Sequence, residues 1–356
     1  MDVSMLRSKQ KKIKSYRPKL KVFRSSEPLK SVLMWGINYS HNALLHVKPH
    51  AVFVLDDFKS FLKIKASNHN FDRENMPSKY KYKEYSPMVF EAIRRKFKVD
   101  PADYLESFTY NEPEWDRMVG KSGSKFMVTY NRHYVIKTIQ SDDLLQLQSI
   151  LEKYYEYIVQ CSGNTLLPQF LGLYRVTVSD QETYLLVMRN VFSPRLAVHS
   201  KYDLKGTSVD REANEKEKNK PMPTLKDTDF LNEMSKINVG PQSKADLMRK
   251  LERDIQFLEH NNLTNYSVLV GVHDLDSPNK LLEQASVMQS DPGVTSDQED
   301  PRRQSIPDPV AFAYDLNQLR NKQNLVSAGD GMGAIVEVLK RQGVTHQPQS
   351  GPVCLG

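Results

Sequence analysis

An α+β fold is predicted for this chain of 356 residues on three observations. Residues 120–192 read as hairpin, helix, strand, strand, and residues 243–274 read as a long amphipathic helix followed by a short apolar strand. No apolar stretch approaches the length of a membrane span. The only cysteines are Cys161 and Cys354, which supply neither a disulfide framework nor a zinc-ligand spacing.

Taken in order, residues 1–30 hold ten Lys or Arg against Asp2 and Glu27, a net of +8, while the whole chain carries +7. The positive excess is therefore confined to a basic arm, assigned to residues 1–24. Such an arm meets phosphate on nucleic acid or on an anionic membrane, or it serves as a solvated tail or localisation signal. The absence of an RNP-type aromatic motif or zinc-finger pattern argues against specific nucleic-acid readout. The first fifteen residues, MDVSMLRSKQKKIKS, lack the apolar core of a secretory signal. With so few cysteines, a reducing compartment is expected, cytoplasm or nucleus.

Residues 29–46 predict a short helix and a turn. Residues 50–61, HAVFVLDDFKSF, predict a strand that passes into a helix start or turn. SKYKYKEYSP at 78–87 alternates Lys and Tyr with period 2, the pattern of an edge strand with one wet, basic face. Pro87 then opens a helix whose stripe holds Met88, Ile93 and Phe97. Residues 119–140 form a hairpin in which Gly120 and Gly123 frame the start, Phe126, Val128 and Tyr130 alternate, and Asn131-Arg132 makes the turn. A helix follows at 141–160 with Ser141 as N-cap, then two strand runs, TLLPQFLGLYRVTV and ETYLLVMRNVF. After KYDLKGT at 201–207, the polar stretch 211–227 reads as a loop. Residues 243–262 are the strongest helix, with Ser243 and Asp246 resembling a capping box and Leu247, Leu251, Ile255 and Leu258 on one face. Residues 275–308, rich in Ser, Asp, Gln and Pro, read as a disordered insertion.

The chemistry suggested by these residues is phosphate handling. A glycine-framed hairpin can close its backbone N–H groups over phosphates, and Lys137 on the next strand can neutralise their charge. Asp203 and Lys205, with Gly206 allowing a tight turn, are candidates for the second half of such a site. The loop at 261–266 would stand at the edge of a cleft. Each of these signals taken singly is more often an ordinary turn or strand than a functional site.

Taken together they resemble one family. KYDLKG, GNTLLPQFLGLYRVTV and NYSVLVGVHD are similar to segments of the phosphatidylinositol phosphate kinases, which carry Tyr-Asp-Leu-Lys-Gly and Met-Asp-Tyr-Ser-Leu-Leu motifs. SVLMWGINYSHN, LDDFKSFLKIKASNHNF and YKYKEYSPMVF resemble the type II branch, the phosphatidylinositol-5-phosphate 4-kinases, over residues 18–275 or so. The resemblance implies a two-lobed, kinase-like α+β fold with antiparallel sheets, an N-terminal lobe at 25–200, a C-terminal lobe core at 201–274 and a divergent segment at 309–356 that leaves the second lobe incomplete. It implies ATP and Mg²⁺ as cofactors and a phosphoinositide on an anionic membrane surface as partner. Assembly as a homodimer, or a heterodimer with related kinases, is also implied, together with a cytoplasmic, peripheral-membrane location and the nucleus left open. By the same resemblance Lys137 is the nucleotide lysine, Arg189, Asn190, Val191 and Phe192 form the run that receives the purine, and Lys201 and Lys205 flank the phosphate path around Asp203.

Three departures qualify the resemblance. Asn265 stands where the family places the aspartate that orients the attacking hydroxyl. An amide oxygen accepts a hydrogen bond but is not a base, and losing general-base help costs roughly 10²–10⁴ in rate. Gln146 stands where the family has the glutamate partner of the lysine. The metal-binding aspartate of the family is not recognisable, Asp315 in DPVAFAYDLNQ being the one candidate and more readily read as an ordinary strand-end acid. The expectation is a 4-kinase of reduced activity, or a non-catalytic lipid- and nucleotide-binding member that regulates active kinases.

Overall fold

The computed structural model describes residues 25–50, 52–67, 76–119, 123–192, 194, 198–233 and 240–273, with strand residues 311–313 and 354–355. The basic arm, Gly120, the insertion at 275–308 and Asp315 lie outside the described residues.

Seven strands form an all-antiparallel sheet: β1 (Phe61–Ser67), β2 (Lys79–Tyr85), β3 (Glu114–Val119), β4 (Lys125–Val128), β5 (Tyr134–Ile139), β6 (Phe170–Val178) and β7 (Gln181–Arg189), in the spatial order β1-β2-β6-β7-β5-β4-β3. Helices α1 (Pro28–Leu44), α2 (Leu55–Lys59), α3 (Pro87–Lys96), α4 (Pro101–Thr109) and α5 (Ser141–Gln160) complete this part. Proline occupies the start of α1, α3 and α4, where its missing N–H is not needed and its φ is already helical. Asp100 caps α4, accepting from the amides of Ala102 and Asp103 at 2.8 and 3.0 Å.

Alternation along β2 sends Tyr80, Tyr82 and Glu84 inward and leaves the lysines on the other face. Tyr82 and Tyr174 stack in the core with Phe90, Ile93, Leu33 and Leu173. Gly36 lets α1 approach, since a Cβ there would sit 2.2 Å from the Tyr82 ring. Glu84 enters this core paired with Ser40, and burial raises its carboxyl above the ordinary value.

A second sheet holds β8 (Ser200–Leu204), β9 (Thr224–Leu225), β10 (Ser267–His273) and β11 (Ala311–Ala313) in the order β11-β10-β8-β9, and β12 (Cys354–Leu355) also pairs with β10. Its pairs are antiparallel except β8–β9. Helices α6 (Glu215–Lys218), α7 (Asp227–Asn232) and α8 (Gly240–His260) accompany it. Asp254 of α8 ties the two parts together. Its carboxylate accepts from the Leu166 amide at 2.6 Å, the Thr165 hydroxyl at 2.7 Å and the Tyr157 hydroxyl.

The structure corrects several sequence expectations. The helix expected at 29–46 is a full 17-residue element rather than a short one. No strand precedes α2 among the described residues at 52–54; the strand follows, at β1. β2 does have a wet, basic face, but it is an interior strand between β1 and β6. The cap of α5 is Gln140, whose amide donates to Asp143 at 3.0 Å, one residue before Ser141. α8 begins at Gly240, so Ser243 lies inside it, and Asp246 pairs with Lys250 at 2.7 Å. The stretch 211–227 is not a plain loop: it contains α6 and β9 and leads into α7.

Candidate functional site

Register places the candidate residues of the second sheet on one face. Lys201 pairs with Gly271 and Asp203 with Leu269, so these four share a face. Tyr202, between them, points the other way and packs edge-on against Phe230 in the core. The run after β7 reaches the same face. A Cβ on Gly271 would lie 2.5 Å from the Phe192 ring and 3.3 Å from Val198. Glycine there is what lets the ring rest against the strand backbone.

The connection that carries Phe192 is pinned from behind. The Asn190 amide N–H donates to the His133 carbonyl at 2.8 Å, its side-chain NH₂ donates to the Arg132 carbonyl at 2.8 Å, and its Oδ1 accepts from the Phe192 amide at 3.3 Å. Arg189 extends its guanidinium to the Phe97 carbonyl at 3.1 Å. The side chains of Arg189 and Asn190 thus hold the run in place, and Phe192 is the member that meets the sheet face. Val191 is half-buried beside them.

On the first sheet, Lys137 lies in the middle of β5, between Phe126 and Leu186, and is 8% exposed. Its Nζ is 6.0 Å from the Phe126 ring centre. On the helix that follows, Gln146 buries its Oε1 with no hydrogen-bond partner among the described residues. Gly123 has φ +76°, and a Cβ there would meet open space, so its backbone conformation, not crowding, requires glycine.

Lys201 is 7% exposed, and burial lowers its pKa against the opposing pull of Glu217 and Asp116. Asp116 belongs to β3, so the far strand of the first sheet faces this part of the second. Asp203 has one carboxylate oxygen 3.5 Å from Arg211 and the other buried with no partner among the described residues. Lys205 and Gly206 form the turn that leaves β8, with Gly206 at φ +75°. Asn265, with φ +61°, turns the chain into β10. The neighbouring Tyr266 hydroxyl is buried without a hydrogen-bond partner among the described residues, and burial pushes its pKa up to about 12.

Among the described residues no group of three or more His, Cys, Asp or Glu is arranged to hold a metal ion. The orphaned Asp203 oxygen fits a magnesium ion that brings most of its ligands with it, since Mg²⁺ is commonly held by one or two carboxylates plus phosphates and water. The sequence did not mark Arg211 and Asp227, both buried beside Asp203. Both sit in a polar stretch with no hydrophobic period, and the one available signal was an acid at the start of the short pattern DTDF.

A family profile described as Phosphatidylinositol-4-phosphate 5-Kinase matches residues 112–348. That span includes most of the segment beyond 309, for which the motifs quoted above offered no likeness. The chain is 52% identical over 258 residues, 72% of its length, to human phosphatidylinositol 5-phosphate 4-kinase type-2 beta. It is 50% identical over 275 residues, 77% of its length, to the human type-2 alpha protein, and 50% identical over 258 residues to the type-2 alpha protein of chicken. The match spans 62% of the length of the type-2 beta relative and 68% of the human type-2 alpha relative.

Proposed function

Since the chain belongs to the phosphatidylinositol phosphate kinase family, in its type II branch, we propose that it transfers the γ-phosphate of ATP to the 4-hydroxyl of phosphatidylinositol 5-phosphate, at a reduced rate. The observation that carries this reading is the single face shared by Lys201, Asp203, Leu269 and Gly271, with Phe192 seated against it. In this reading the Phe192 ring and Gly271 form an apolar floor for the purine, with Lys201 opposite Gly271 on the neighbouring strand and Asp203 two residues farther along it.

In the proposed reaction the bond from the γ-phosphorus to the bridging oxygen of ADP breaks as the lipid 4-oxygen bonds to phosphorus, and the hydroxyl proton is released. Lys137 and Lys201 offset the phosphate charge, and Lys205 meets the transferring group at the end of β8. Magnesium would supply charge neutralisation between the phosphates, with Asp203 as its protein ligand. Asn265 holds the lipid hydroxyl by accepting its hydrogen bond but does not take its proton. Positioning dominates phosphoryl transfer, so the amide slows the reaction without abolishing it.

The experiment is transfer of radiolabel from ATP to short-chain phosphatidylinositol 5-phosphate by the full chain and by Asn265→Asp. Asparagine and aspartate both tolerate the left-handed backbone of residue 265, so the substitution changes the chemistry at an unstrained site. A gain of about 10²-fold or more is expected from a restored base. A second reading, a non-catalytic nucleotide- and lipid-binding partner of active relatives, is favoured by Asn265 together with the neutral Gln146, whose Oε1 has no hydrogen-bond partner among the described residues. It predicts ATP binding with no transfer in either protein.

A further inference from the structure

We propose that Asp227, acting with Arg211, is a positioning residue that fixes the β8 turn for phosphate handling; this rests on the reading of the Lys201–Asp203 face given above. Asp227 is the first residue of α7 and is 6% exposed. Its Oδ1 accepts from two consecutive amides, Lys205 at 2.9 Å and Gly206 at 2.7 Å. Its Oδ2 accepts from Arg211 Nε at 2.8 Å. Arg211 in turn donates to the backbone carbonyl of Asp203 and lies 3.5 Å from that residue's carboxylate. The segment from Asp203 to Gly206 is therefore gripped at both ends, by an acceptor on its amides and a donor on its carbonyl.

A turn of this kind left to solvent would satisfy its amides with water. Here it uses a buried ion pair, whose desolvation offsets much of its Coulombic attraction, so net stability is a poor explanation for it. Fixed geometry is a better one. With Gly206 held at φ +75°, the direction in which Lys205 leaves the backbone is set, and Arg211 restricts the rotation of Asp203.

The test is Asp227→Asn, which keeps volume but leaves the two amides a neutral oxygen, a weaker acceptor than the carboxylate, and turns an NH₂ group toward the Arg211 Nε–H. Turnover in radiolabel transfer to short-chain phosphatidylinositol 5-phosphate should fall by about 10²-fold with KM for ATP changed by less than about threefold, the signature of misplacement, not of lost binding. Amide hydrogen exchange at Lys205 and Gly206 should quicken while Val268 and Val270 in β10 stay protected. In the parent protein ATP should further protect the 205–206 amides, and in the variant it should not. Unchanged exchange at these amides, equal ATP protection in both proteins, or loss of turnover only in step with loss of folded protein would each overturn the proposal. So would an absence of ATP protection in the parent. If the parent transfers no phosphate yet ATP protects 205–206 in it alone, the enzyme reading fails and the positioning role stands.

Discussion

Asp254 draws three donors from the loop ahead of β6 and the end of α5 onto one buried carboxylate. Asp254→Ala would leave the Leu166 amide and the Thr165 and Tyr157 hydroxyls without their acceptor. The expected loss is about 3 kcal/mol or more, read as a lower urea midpoint. The pH dependence has a definite sign. Burial raises the Asp254 carboxyl above its ordinary value against the hydrogen bonds that lower it, so the folded chain holds this proton more tightly than the unfolded chain. Ionisation of Asp254 then contributes nothing below the unfolded carboxylate value of about 4 and subtracts stability as pH rises through the folded value. The stability advantage of the parent over Asp254→Asn should shrink across that window, and denaturation midpoints measured on both sides of it would check this. Gly36 gives a steric counterpart. Tyr82 is fully buried and its ring cannot yield to a methyl group 2.2 Å away. Gly36→Ala should destabilise by about 1–3 kcal/mol, with an unchanged denaturant slope.

β2 illustrates how far the sequence speaks for an element. Its Lys-Tyr alternation correctly marked a strand with one face in water, because side-chain period is a local property. Its place inside the sheet was not legible, since that depends on β6, a partner far away in sequence. A strand of a sheet covered on one face has the same pattern at the edge and in the interior. The run that follows β7 shows the same limit. RNVF marked a real connection, but only packing reveals that Arg189 and Asn190 staple it while Phe192 meets the strand. The Asp227–Arg211 pair was illegible because two charges in a polar stretch look like any solvated surface. Register also sets Lys63 opposite Lys83 and Lys65 opposite Lys81. Like charges facing one another are destabilising. Lys65→Glu should therefore raise stability by about 0.2–1 kcal/mol in thermal melts and weaken any attachment of this face to anionic vesicles.

At the scale of the whole molecule, no helix among the described residues is long and apolar enough to cross a membrane, and the basic features suit attachment to a surface. We propose that the arm and the lysine face of β1 and β2 hold the protein on vesicles containing a phosphatidylinositol monophosphate. Binding should decline progressively as salt rises, because screening confines such attraction to about 8 Å at physiological ionic strength. Deleting residues 1–24 should reduce it, and Asn265→Asp should leave it unchanged; indifference to vesicles at low salt would remove this reading. Sedimentation at micromolar concentration should report a dimer if the type II likeness of residues 31–64 extends to assembly, and a clean monomer would count against it. The seven-strand order also bears on how the chain is made. β1 and β2 leave the ribosome early, yet β2 must wait for β6 before Tyr82 can face Val176 and Lys81 face Thr177. Closing so long a loop is slow, and until it closes Tyr80 and Tyr82 lie open to other chains. A nascent protein stalled before residue 170 should therefore be the species most dependent on chaperones, with its first hairpin built and its neighbour not yet synthesised.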